Sequence, residues 1–273
     1  MKILVMLGIA AFAFCALWAV QSVALKLVDE PLAWPLRFTT RNPLVRRTSR
    51  VMIQLSWVLI LVGTPLALGI RPLDALHQAF PLPVPWHGIV IAFSLVFFPF
   101  SIGYALYIKV GWLRIEPRFD QATLRSKLFR RFLTPLPLAT MEEGVFRGIV
   151  LEQLLRSLPQ SRAYSALAII VSSAVFAAVH FIKPFGSHKP VVQGIYGYFS
   201  AGCLFGLAYL VGGRSLWLPI VMHATAIFVI EVMRLYTVQQ GPHWLAGFAE
   251  LPQSGLVGSV VVLGIAIALV AMI

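Results

Sequence analysis

Apolar runs of about 20 residues, the length a helix needs to cross the hydrocarbon core of a bilayer, follow one another along almost the entire chain. Scanning with that ruler predicts spans near 1–25, 51–70, 89–110, 136–156, 161–182, 193–212, 215–235 and 254–273. The predicted architecture is therefore all-α and polytopic, with about eight transmembrane helices. Proline and glycine mark the joints: Pro81, Pro83 and Pro85 after the second span, Pro159 between the fourth and fifth, and Gly212 with Gly213 between the sixth and seventh. Composition agrees, because 59% hydrophobic and 12% charged residues exceed what a soluble domain can cover with polar surface. Three regions are expected: 1–135 with the first three helices and basic cytoplasmic loops, 136–235 as the functional core, and 236–273 as an outer loop region and the last helix.

The 22 Lys and Arg outnumber 10 Asp and Glu, yet they concentrate in two short segments between apolar runs. Lys26, Arg37, Arg41, Arg46, Arg47 and Arg50 form one, and Arg114, Arg118, Arg125, Lys127, Arg130 and Arg131 the other. Such clusters mark the cytoplasmic side of a membrane protein and face anionic lipid head groups, so lipid rather than nucleic acid is the expected partner. Both termini then lie outside. Residues 1–25 also have the outline of a secretory signal, with Lys2 ahead of an apolar core. Its removal would leave the first basic cluster external, against the charge bias, so a retained span is the preferred reading. Cys15 and Cys203 lie far apart in apolar runs, which provides neither a disulfide framework nor a thiolate metal site.

A charge inside a spanning helix costs about 2.5 to 3.5 kcal/mol even on lenient scales, so each needs a partner or a wet cavity. The fourth span holds Glu142, Glu143, Arg147, Glu152 and Arg156. Glu143 with Arg147 and Glu152 with Arg156 stand one turn apart, acid before base, as same-face ion pairs. For Glu152 and Arg156, near a helix end, structural neutralisation is the favoured role. Glu142 points about 100° away from Glu143, and a carboxylate crowded by a second one in a low-dielectric setting has the profile of a general base. The topology returns the fifth span to the cytoplasmic side and brings His180, four residues after Phe176, to the depth of Glu142. His223 in the seventh span is expected deeper. Gly202 and Gly206 in the sixth span have the spacing of close helix packing. An isolated membrane histidine usually makes a helix-helix hydrogen bond, but two beside a paired carboxylate point to a site.

The string Glu142-Glu143-Gly-Val-Phe-Arg147-Gly148, then Phe176-x-x-x-His180, a Gly-rich span, and Ser215-Leu-Trp-Leu-Pro-Ile-Val-Met-His223-Ala224 resembles the CPBP family of intramembrane glutamic endopeptidases. That family includes type II CAAX prenyl endopeptidases and bacterial Abi-type proteins. The resemblance covers roughly 136–235 and implies that Glu142 activates a water, His180 assists it, Glu143 and Arg147 form an organising pair, and His223 stabilises the oxyanion. It implies no cofactor or metal, a membrane-associated protein or peptide as substrate, cleavage near the cytoplasmic face, and a multi-pass place in a bacterial inner membrane. One position departs from the pattern: Ile227 stands four residues after His223, where the family carries Asn or another small polar residue. Two alternatives stay open. One is a catalytically silent scaffold or chaperone of the same fold, supported by Ile227. The other is a zinc-dependent membrane hydrolase using two His and one Glu, although the His-Glu-x-x-His signature is absent.

Overall fold

The computed structural model describes residues 2–29, 42–116, 119–181, 191–249 and 251–271. Of the basic residues noted above, Arg37, Arg41 and Arg118 fall outside these ranges. The helices in chain order are α1 (Lys2–Lys26), α2 (Pro43–Val58), α3 (Thr64–Ala67), α4 (Pro72–Ala79), α5 (Trp86–Lys109), α6 (Gln121–Leu133), α7 (Pro135–Glu143) and α8 (Glu152–Ser157). They are followed by α9 (Arg162–Phe181), α10 (Val191–Val211), α11 (Trp217–Tyr236), α12 (His243–Ala246) and α13 (Leu256–Val270). The protein is thus an all-α polytopic membrane protein, with helix in each predicted segment.

Among the described residues, α5, α9, α10 and α11 are long and apolar enough to cross a membrane, and a bent pair adds a fifth span if counted as one. The first arm of the bent pair is the predicted second span. It runs from Gln54 to Ala67 and turns by 108° into α4. Gly69 at φ +73° and Pro72 at the start of α4 explain the corner. The last apolar helix, Leu256–Val270, is shorter than a full span. The fourth predicted segment carries too many charges to qualify by composition, because it holds the site.

That fourth segment is not one regular helix. Between α7 and α8, residues Gly144–Leu151 form a wide π-helical stretch, a conformation that often occurs at functional sites. Around it, α11 packs on α5 and α7, and α10 packs on α9. The α9–α10 approach is close because side chains are missing: a Cβ at Gly202 would lie 2.9 Å from Cβ of Ser173, and one at Gly206 3.0 Å from Ile169. A core of Ala92, Val96, Leu204, Phe205, Ala208, Met222 and Val262 joins α5, α10, α11 and α13.

Two short strands, β1 (Leu113–Ile115) and β2 (Thr237–Gln239), pair antiparallel with Leu113 opposite Gln239 and Ile115 opposite Thr237. This ribbon puts the exit of α11 beside the start of the basic third loop.

Candidate active site

Glu142 and Glu143 close α7, and neighbouring residues on a helix diverge by about 100°. The structure shows what that divergence does. Glu142 lines a cavity of about 330 Å³, whereas Glu143 is wholly buried behind it. Glu143 meets Arg147 from the π-helical stretch, with Arg147 Nη1 donating to Glu143 Oε1 at 3.1 Å and Arg147 Nε lying 3.1 Å from Glu143 Oε2. Arg147 Nη2 donates to the Gly202 carbonyl at 2.8 Å. Its guanidinium also lies over the Phe176 ring, 4.8 Å from the centroid, and 5.4 Å from that of Phe205. Burying an arginine this completely is tolerable only with such a set of partners.

Both histidines are held through Nδ1. His180 Nδ1 lies 2.7 Å from the Phe176 carbonyl oxygen. A carbonyl only accepts, so the proton sits on Nδ1 and the ring turns Nε2 outward. His223 Nδ1 lies 2.7 Å from Glu143 Oε1, a carboxylate oxygen that accepts and so makes the same choice of tautomer. The two Nε2 atoms converge on one oxygen, Oε2 of Glu142, at 3.8 Å from His180 and 3.7 Å from His223. His223 therefore reaches the level of Glu142, although position along α11 alone suggested a deeper place. The imidazoles are further oriented by stacking, His180 on Tyr198 with centroids 4.2 Å apart and His223 on Phe205 at 4.6 Å.

The structure thus gathers all five sequence candidates, three on the cavity wall and two in support. Sequence reasoning missed Tyr198, Phe205 and the Gly202 carbonyl. Aromatic residues on an apolar helix carry no signal of their own, and Gly202 was legible only as a packing residue. Ile227 also lines the cavity, whereas Thr225 donates to the Val221 carbonyl at 2.7 Å and takes no part in the wall. Towards the end of α11, Glu231 and Arg234 line the same cavity. Arg234 donates to Glu231 at 2.6 Å, and Arg131 of α6 pairs with the same carboxylate. Among the described residues, no three His, Cys, Asp or Glu side chains are grouped as a metal site.

The second acidic cluster, around Glu152, is built differently. Glu152 Oε1 accepts from Arg156 Nε at 2.7 Å and from Gln78 Nε2 at 3.2 Å. Glu152 Oε2 accepts from Tyr209 OH at 2.9 Å and Arg214 Nε at 2.9 Å. Gln78 in turn accepts from Arg156 at 2.8 Å. These bonds tie α4, α8, α10 and the turn before α11 together and leave the carboxylate no spare capacity.

Residues 125–229 match the family Rce1-like, described as type II CAAX prenyl endopeptidase Rce1-like. The matched stretch contains every one of the five residues. No curated protein and no solved structure matches the chain significantly.

Proposed function

We propose, for a multi-pass membrane protein that carries a type II CAAX prenyl endopeptidase Rce1-like protease segment over residues 125–229, that the chain is a glutamate-dependent intramembrane endopeptidase. Its substrate is a membrane-associated protein or peptide cut near the cytoplasmic face. The observation that carries this reading is the convergence of two imidazole Nε2 atoms, at 3.8 and 3.7 Å, on one carboxylate oxygen facing a cavity. Those separations exceed a direct hydrogen bond and match a span that one water bridges.

In this reading Glu142 takes a proton from that water, whose oxygen attacks the scissile carbonyl carbon. The electron pair displaced from the carbonyl becomes an oxyanion. With Nδ1 already bonded, a neutral imidazole offers only a lone pair at Nε2, so His223 must be protonated to donate to the oxyanion. Glu143 behind the ring stabilises that imidazolium, and Arg147 holds Glu143 in place. His180 holds the water against Glu142. Collapse of the intermediate expels the amine, which receives the proton that Glu142 took. A preorganised donor to an oxyanion is worth about 3 kcal/mol, and a positioned base about 100- to 10,000-fold in rate.

Comparison of protein termini in membranes expressing wild type or Glu142→Gln tests this directly. New termini that depend on wild type and vanish with Glu142→Gln are the expected result. Equal termini in both samples would overturn the assignment.

A further inference from the structure

Gln253 entered no sequence argument, yet it lines the same cavity as Glu142, His180 and His223. It sits in a tight turn, Pro252–Ser254, packed against α10, α12 and α13. Glycines permit that insertion. A Cβ at Gly247 or Gly258 would collide with the Pro252 carbonyl, and one at Gly197 would come 2.8 Å from Ser254 Cβ. The turn is also tied by hydrogen bonds, from Gln193 Nε2 to the Ser254 carbonyl at 3.1 Å and from Ser254 Oγ to the Leu251 carbonyl at 2.7 Å. The backbone that presents Gln253 is therefore held on several sides.

Gln253 is 8% exposed, and its Oε1, itself buried, has no hydrogen-bond partner among the described residues. A buried acceptor left unpaired costs free energy and is rare in native proteins unless something else pairs with it. Of the cavity's two carboxylates, Glu231 is engaged with two arginines, and Glu142 faces the two imidazoles and is reserved for the chemistry. Nearby wall residues Phe100, Ile227, Ile230 and Val262 are apolar. A peptide entering such a cavity in extended form brings backbone N–H groups that lose their water and need acceptors.

We propose that Gln253 is a substrate-binding residue whose amide oxygen, buried in the free protein, turns to accept a hydrogen bond from a backbone N–H of the bound peptide. This rests on the endopeptidase reading and adds a polar anchor, from the C-terminal segment outside the matched family region, on a wall where Ile227 offers none. A competing arrangement is internal. Tyr104 OH is also buried and unpartnered, and it borders a smaller hollow that Gln253 lines from the other side.

The experiment uses the full chain in detergent and, as probe, a synthetic peptide spanning a cleavage site identified by the terminus comparison. Its analogues carry one backbone N-methyl group at each position in turn. Gln253→Met keeps the side-chain length and removes the acceptor, and it should raise KM about tenfold with kcat within about twofold. One N-methyl position should cost wild type about the same factor and cost Gln253→Met nothing further. If the Met variant does not fold, Gln253→Ala takes its place in the same cycle. Unchanged KM, or N-methyl losses identical in wild type and variant, overturns the proposal. So does a melting-temperature coupling between Gln253→Met and Tyr104→Phe with KM unmoved, which would mark an internal bond. Activity surviving in Glu142→Gln would instead sink the glutamate-dependent reading on which the proposal rests, so the two failures are distinguishable.

Discussion

Glu142 and Glu152 lie on the same broken helix and are almost equally buried, 5% and 4% exposed, yet their surroundings are opposites. Glu152 accepts from arginine, glutamine and tyrosine donors until both oxygens are used. Glu142 meets two imidazoles, both beyond hydrogen-bond length, and faces open volume. Burial of a carboxylate alone thus says little about its role. A saturated carboxylate fastens helices, and one with lone pairs left over in a cavity is available for chemistry.

The comparison breaks most visibly at Glu142. Glu142→Gln should lower cleavage by about a thousandfold while leaving thermal melting in detergent close to wild type, and a melting loss equal to that of a core variant would erase the contrast. The next largest effect belongs to the support behind it. Arg147→Met leaves Glu143 buried and uncompensated, so it should destabilise the fold by about 3 to 5 kcal/mol, read as a lowered unfolding midpoint. Glu152→Gln keeps shape but weakens charge-assisted bonds to Arg156 and Arg214. It should cost about 1 to 3 kcal/mol of stability, with activity per folded molecule unchanged, and a large drop in that activity would join the clusters functionally.

Ile227→Asn restores a polar group beside His223 on the cavity wall and should raise the rate a few-fold, below about 1 kcal/mol in barrier. The smallest effect lies outside both clusters. Asp120 caps α6, accepting from Thr123 N and Thr123 Oγ1, each at 2.8 Å, and the Thr123 backbone bond followed by its hydroxyl holds the carboxyl below its ordinary range. A depressed folded value means the contribution is present above the unfolded pKa and lost as pH falls through the folded one. Asp120→Ala should therefore trim stability slightly at neutral pH and flatten the acid limb of a melting profile, without touching cleavage at pH 7.

Much of this was legible in order along the chain. The Glu143–Arg147 pair, the divergence of Glu142 and the return of His180 to its level follow from helix periodicity and the bilayer ruler, which are local rules. Residues such as Gln78, Tyr209 and Arg214 were not legible as partners of Glu152, because nothing in their own segments anticipates a neighbour on another helix. The same holds for Tyr198 and Phe205, whose stacking on imidazoles depends on how α9, α10 and α11 pack. Gln253 was hidden for a further reason, since it lies in a turn and turns carry no periodic face. The predicted second span ends where the chain turns at Gly69 and Pro72, but the short helix that follows the corner was not legible, because hydropathy measures apolar length and not a bend.

The π-helical stretch Gly144–Leu151 separates the two carboxylates. A π turn spans one residue more than an α turn, so it acts as a phase setter between the two ends of the helix. Rewinding those eight residues as regular α-helix, without removing one, would turn everything beyond to a different face. Glu152 would then miss Tyr209 and Arg214, or, if those bonds held, Glu142 would turn away from both imidazoles. None of its eight residues is exposed, and its length is a register that neither end can renegotiate alone.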